Sequence, residues 1–239
     1  MKTNIQQYYR KSDDVKTYLI TNKKRVKKIR NIYKSNRKYF GKKILDIGCG
    51  GGILGFLIES NGHKYTGLDI NPDMIKNAKK HAKEIKSKNK FILGDATKKK
   101  INGTFNTITS IGNGLCHITT HDFLNILKNI KKNSKKGTHF LIEYRDVVGM
   151  LFRKEWKYKM IEKSKGKTLT SLTIGASMKE GEIYKKSFDK NGQNKIFFTH
   201  TIWSPFIMEP IMNSDGWKLL KRKKNKRWKG WLEIYKRVR

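Results

Sequence analysis

The stretch that decides the fold reads Ile44-Leu45-Asp46-Ile47-Gly48-Cys49-Gly50-Gly51-Gly52 and continues as Ile53-Leu54-Gly55-Phe56-Leu57-Ile58. A short apolar run, a glycine cluster and a second apolar segment predict a buried strand, a tight turn and a helix. Glycines let the backbone approach a ligand, and the helix beyond them turns free N–H groups and its positive dipole end toward it. Asp46 interrupts the apolar strand, where a carboxylate is costly unless a cation or hydrogen-bond donors meet it. Nineteen residues after Gly50, Asp69 ends another strand-like run, Tyr65-Thr66-Gly67-Leu68. That spacing puts a second carboxylate where a ribose diol would lie.

Two ligand classes fit this unit. Gly50-x-Gly52-x-x-Gly55 satisfies the dinucleotide fingerprint, a short pattern of low specificity. Asp46-x-Gly48-x-Gly50-x-Gly52 resembles motif I of the class I S-adenosylmethionine (AdoMet) methyltransferases. AdoMet has no pyrophosphate but carries an α-ammonium that an acid at Asp46 would help to hold, so Asp46 favours AdoMet. The resemblance implies a doubly wound, Rossmann-like α/β fold. It implies cofactor contacts from Asp46, Gly48, Cys49 and Gly50 in the first turn, and from Asp69, Ile70 and Met74 after the second strand. A third run, Phe91-Ile92-Leu93-Gly94-Asp95-Ala96, implies Asp95 as acceptor for the adenine amino group and Ala96 as its neighbour. Ile111 and Gly112, after the fourth strand, complete the implied cofactor set.

Composition sets the bounds. At 239 residues with 36% hydrophobic content, the chain is read as one globular domain, or one with an insertion. No apolar run approaches a membrane span, and the start at Met1-Lys2-Thr3 lacks the apolar core of a signal peptide, so a cytoplasmic protein is expected. The cysteines, Cys49 and Cys116, fit a reduced compartment, and without histidines at metal spacing no metal site is expected. The net charge is +36. Such a surface attracts polyanions, so nucleic-acid contact is one expectation and compositional drift toward lysine the other.

Along the chain, residues 1–40 read as an N-terminal helical cap, 41–146 as the AdoMet-binding core, 147–202 as an antiparallel β insertion covering the ligand mouth, and 203–239 as a helix and the last strands of the main sheet. Core strands are expected at 43–47, 64–69, 90–93, 105–111 and 138–144, with helices at 52–60, 72–87 and 120–132 between them. Strands at 168–177, 182–189 and 195–201 make up the insertion. A helix at 204–213 and strands at 217–222 and 229–237 close the chain, with Lys221 to Arg227 as an exposed turn.

The acceptor side rests on three further stretches. Gly112-Asn113-x-x-x-His117 resembles the Leu-Gly-Asn-Ser-Phe-x-His stretch of the glycine N-methyltransferase and glycine/sarcosine methyltransferase group. Phe140-Leu141-Ile142-Glu143-Tyr144-Arg145-Asp146 is similar to that group's Ile-Asp-His-Arg-Asn-Tyr-Asp, which makes Arg145 the counterpart of the arginine that clamps a substrate carboxylate. Phe197-Phe198-Thr199-His200 is similar to its Tyr-Tyr-Pro-His. The group's tyrosine two residues after the arginine is Val147 here. Read residue by residue, the alternatives are Asn113 as a loop cap, His117 as the start of the next helix, and Arg145 as a partner for Asp146, Glu143 or a surface acid.

The implied reaction is in-line methyl transfer to a small amine such as glycine or sarcosine. Arg145 would fix the carboxylate, Asn113 would orient the amine, and Tyr8, Tyr9 or His117 would take a proton. An RNA-directed methyltransferase and a non-catalytic nucleic-acid-binding module with the same fold are the alternatives.

Overall fold

The computed structural model describes residues 19–164, 167–225 and 229–239. Tyr8 and Tyr9 lie outside them. The described chain begins with α1 (Lys23–Ser35), capped by the Asn22 side chain on Arg25 N–H, and enters β1 (Lys43–Ile47). The turn after β1 places Gly48, Gly50 and Gly52 at φ of 72°, 54° and 77°, a region that side chains rarely adopt. Gly52 caps α2 (Ile53–Ile58), and a Cβ there would lie 2.4 Å from the Phe91 ring.

The alternation continues through β2 (Lys64–Asp69), α3 (Pro72–Glu84), β3 (Lys90–Leu93), β4 (Phe105–Ser110), α4 (Thr120–Ile130) and β5 (Ser134–Arg145). Asn71 caps α3 and Pro72 fills its first turn, which fixes the start of this helix. After β5 come α5 (Val147–Phe152), β6 (Lys159–Ser164), β7 (Lys167–Ser177), β8 (Glu182–Asp189) and β9 (Ile196–Thr201). The chain closes with α6 (Pro205–Ser214), β10 (Trp217–Asn225) and β11 (Gly230–Arg237).

The main sheet has the order β10-β11-β5-β4-β1-β2-β3. The strands from β5 to β3 are parallel, and β11 and β10 add an antiparallel hairpin. Both faces are covered, which is why its strands read as continuous apolar runs. Ile44 packs on one side with Ile29, Ile53 and Ile75, whereas Leu45 and Ile47 pack on the other with Phe123, Ile126 and Met208. The second sheet, β6-β7-β8-β9, is antiparallel. Among the described residues, no helix is long and apolar enough to cross a membrane.

Three boundaries differ from expectation for identifiable reasons. β5 starts at Ser134, not 138, because a register shift between Phe105 and Thr107 carries the polar Ser134-Lys135-Lys136-Gly137 into the ladder. α5 and β6 were not anticipated, since neither carries a clear periodic signal. The expected turn from Lys221 is instead strand as far as Asn225, held by Arg222 pairing with both Glu209 and Glu233.

Candidate active site

Every residue assigned to the cofactor lines one cavity of about 300 Å³ at the carboxyl edge of β1, β2, β3 and β4. This is where open α/β sheets bind ligands, because the turns after parallel strands converge there. Asp46 is 4% exposed. Its carboxylate accepts from Thr109 Oγ1 at 2.6 Å and from the Tyr65 hydroxyl at 2.7 Å. Burial pushes the Asp46 carboxyl up to about 7, and the two hydrogen bonds oppose that rise. Thr109 stands directly beside Asp46 across the β1–β4 ladder, so strand register builds this contact.

Asp69 is held by the loops it joins. Its Oδ2 accepts from Gly50 N at 2.7 Å and its Oδ1 from Asn71 N at 2.9 Å, while burial raises its carboxyl. Asp95 accepts from the Thr97 N–H and hydroxyl at 2.8 and 2.7 Å. Cys49 lines the cavity with a thiol raised well above its ordinary value, first by burial and then by Asp69 and Asp46. It is no nucleophile. This donor set suits AdoMet: an acid for the ammonium, an acid at the ribose position, an acid at the adenine position, and apolar walls from Ile70, Met74 and Ile111.

α1 roofs the cavity through Arg25 and Ile29. Arg25 donates to the Gly112 carbonyl at 3.1 Å. Lys28 pairs with the buried Glu143 at 2.7 Å, and Glu143 also accepts from Gly112 N at 2.9 Å and Asn225 Nδ2 at 2.7 Å. These three residues were not anticipated. The signal was present in part, since Arg25 stands one helical turn before Ile29 on the same face.

On the acceptor side, Asn113 adopts a left-handed conformation (φ 71°), and its Oδ1 accepts from Arg145 N at 3.1 Å. Asn113 and Arg145 are thus brought together, but the Asn113 side chain ties its loop to the end of β5 and is not among the cavity-lining residues. Arg145 ends β5. The carboxylates named as its alternative partners pair elsewhere, Glu143 with Lys28 and Asp146 with Arg153. His117 lines the cavity and closes the short 3-10 turn Gly114–His117, so it precedes α4 and does not start it. Its Nδ1 lies 3.4 Å from the Thr199 carbonyl. Burial lowers His117 to about 4, with the charges of Arg145 and Lys185 acting in the same direction.

The sequence shows no histidines at metal spacing from the cysteines, but the fold brings two beside Cys116. Cys116, His117 and His200 bring their ligand atoms within 4.8 Å of one another, a contact made by folding across the sequence. Burial pushes the Cys116 thiol up to about 12, so it is a neutral thiol at physiological pH. Trp203 is a core residue whose indole donates to the Leu115 carbonyl.

The comparisons define the class. The sequence profile described as Methyltransferase domain matches residues 40–216, and the chain belongs to that family. The family is one of methyltransferases, and the cavity's donor set fits AdoMet as its cofactor. Among curated relatives, the mitochondrial ubiquinone biosynthesis O-methyltransferase of Schizosaccharomyces pombe is 31% identical over 121 residues, 48% of this chain and 44% of that protein. The chain therefore spans about half the length of such relatives. The PH0226 protein of Pyrococcus horikoshii superposes with a TM-score of 0.74 at 23% identity, covering 97% of this chain and 98% of that one. An AdoMet-dependent methyltransferase of Clostridium acetobutylicum gives 0.71 at 15% identity, covering 88% and 90%. These last two similarities are similarities of fold.

Proposed function

We propose that this enzyme methylates the amine of a small acceptor bearing a carboxylate, of the glycine or sarcosine type. The observation that carries this reading is the position of His117 and Arg145. His117 lines the cofactor cavity, and the Arg145 N–H donates at 3.1 Å to the Asn113 side chain, in the loop that leads to His117. When bound, AdoMet supplies a methyl group on a sulfonium, already a good leaving group. The protein's own contribution is alignment, exclusion of water and selection of a neutral amine.

Arg145 offers a planar fork for the acceptor carboxylate, and the Asn113 bond to its N–H fixes the backbone that carries it. The positive charge of Arg145 and Lys185 disfavours an ammonium and favours the free amine that attacks. His117 is neutral, and a tautomer that donates from Nδ1 to the Thr199 carbonyl leaves Nε2 to accept a hydrogen bond from the amine and orient it. The second sheet, through β9, serves as a lid on this side. Methylation of a hydroxyl is the second reading, supported by the O-methyltransferases among the curated relatives. It would use the same hydrogen-bond acceptor to orient the hydroxyl.

Radiolabelled AdoMet offered with small amino acids, phenols and total RNA tests this. Label is expected in an amino acid carrying a free carboxylate. Arg145→Ala should lose about 2–5 kcal/mol of transition-state binding while S-adenosylhomocysteine affinity stays nearly unchanged. Arg145→Lys should recover little, because one ammonium does not reproduce the fork. Full activity in Arg145→Ala, or label only in phenols or RNA, refutes the amino-acid assignment.

A further inference from the structure

Cys116 and His117 are neighbours on the short turn Gly114–His117 after β4, and His200 stands on β9 of the second sheet. Their ligand atoms lie within 4.8 Å of one another. Two contacts bracket this cluster and hold strand against turn. The Trp203 indole, just past β9, donates to the Leu115 carbonyl at 2.8 Å, and His117 Nδ1 lies 3.4 Å from the Thr199 carbonyl. Rings wall the cluster: Phe198 is centred 5.5 Å from His200 and 6.5 Å from His117, and Trp156 6.4 Å from His200. Lys185, on β8 and only 3% exposed, sets its ammonium 5.5 Å from the centre of the Trp156 ring and 5.9 Å from that of Phe198.

One thiol and two imidazoles suit a borderline-soft divalent ion, and the three donors include no carboxylate of the kind that Mg2+ and Ca2+ require. In a tetrahedral zinc site, bonds of about 2.0–2.3 Å set the ligand atoms roughly 3.5 Å apart, so these three need close by only about 1 Å. A His117 Nδ1–H aimed at a backbone carbonyl is the outer-shell contact that fixes a ligating imidazole and turns the Nε2 lone pair to the ion. We infer that Cys116, His117 and His200 supply three ligands of a Zn2+ site, which pins the second sheet to the turn after β4 at the wall of the cofactor cavity. Water takes the fourth position, as in other zinc sites with three protein ligands. On binding, the Zn–S bond forms as the Cys116 S–H bond breaks, and the proton leaves to solvent. The thiolate cancels one of the ion's two charges, which suits a place that Lys185 already makes positive. The ion takes the Nε2 lone pair that orients the methyl acceptor, so ion and acceptor exclude each other. That consequence, and not the site, rests on the function proposed above.

Co2+ is the probe, because it occupies zinc sites and a thiolate ligand gives it a charge-transfer band. The full chain, reduced and stripped with EDTA, is titrated with Co2+ and followed by absorbance. One equivalent is expected to bind, with a thiolate-to-cobalt band in the near ultraviolet and the visible bands of tetrahedral Co2+, and one equivalent of Zn2+ should displace it. Cys116→Ser and His200→Ala should each weaken uptake by about a hundredfold or more, and Cys116→Ser should also lose the thiolate band. Cys49→Ser, which alters the other cysteine of the chain, should keep the band. Absence of a thiolate band in the unaltered protein overturns the inference, and needs no variant to fold. So does a band that survives in a folded Cys116→Ser or disappears in a folded Cys49→Ser. In the labelling assay described above, methyl transfer lost on adding one equivalent of Zn2+ and restored by EDTA supports competition at Nε2. A cobalt band with transfer that continues in the Zn2+-loaded protein supports the site and refutes only the role given to Nε2 in orienting the acceptor.

Discussion

Asp46 is the residue whose protonation sets the terms of cofactor binding. A carboxyl raised to about 7 is only half ionised near neutral pH, and a bound α-ammonium favours the ionised form. Affinity for AdoMet should therefore be full above pH about 8 and fall by up to tenfold per unit below pH about 7. Asp46→Asn should bind more weakly and lose this dependence, which calorimetry across pH will show. For the ligand-free protein the sign reverses. A carboxyl with a higher pKa folded than unfolded stabilises the fold below pH about 4, and that stability is lost as pH rises to about 7. Thermal unfolding without ligand should show this slope in the unaltered protein and not in Asp46→Asn. Asp69→Ala should weaken AdoMet binding by about 2–4 kcal/mol. Part of that loss comes from the Gly50 and Asn71 amides, which Asp69 now holds in place.

At the scale of elements, the Glu143 carboxylate ties α1 to the loop and strand that border the cavity. Glu143 gathers Lys28 from α1, Gly112 N from the loop after β4, and Asn225 from the end of β10. In Glu143→Gln one oxygen becomes an NH2 group facing N–H donors, and the 2.7 Å ion pair with Lys28 is lost. Breaking a buried pair in this way costs about 3–5 kcal/mol. A lower melting temperature and weaker S-adenosylhomocysteine binding are expected together, because Arg25 and Ile29 roof the cavity from the same helix. Lys28→Met combined with Glu143→Gln should recover part of the stability in a double-mutant cycle. If unfolding changes while cofactor affinity does not, α1 is a structural strap and no part of the site.

For the whole molecule the dominant quantity is a net charge of +36. Self-repulsion on that scale is screened by salt, so raising ionic strength from about 20 to about 200 mM should raise the melting temperature. Part of the basic run after Lys221 is committed within the fold. Lys221 donates to Asn36, and Arg222 bridges Glu209 and Glu233. Neutralising the exposed Lys223 and Lys224 should leave RNA affinity at physiological salt within a few-fold of the original. A steep loss, with a flattened salt dependence, would mark this hairpin as a nucleic-acid surface.

The cofactor half was legible in the chain because its residues follow strands one turn at a time. Asp46, Asp69 and Asp95 each mark a strand end, and local pattern fixes both the strand and the acid. The core strands 43–47, 64–69 and 90–93 were readable for the same reason: burial on both faces leaves uninterrupted apolar runs. The acceptor side was a matter of tertiary structure. Asn113 and Arg145 meet across 32 residues, and His117 meets Thr199 across 82. Lys185 left one trace, its even spacing from Ile183, which puts both on the buried face of β8. In a chain with 55 Lys and Arg residues, nothing local separates that lysine from the rest. Only the folding of the second sheet encloses its ammonium among Trp156, Phe198 and Met160, because burial of a cation is decided by what surrounds it and not by its neighbours in sequence.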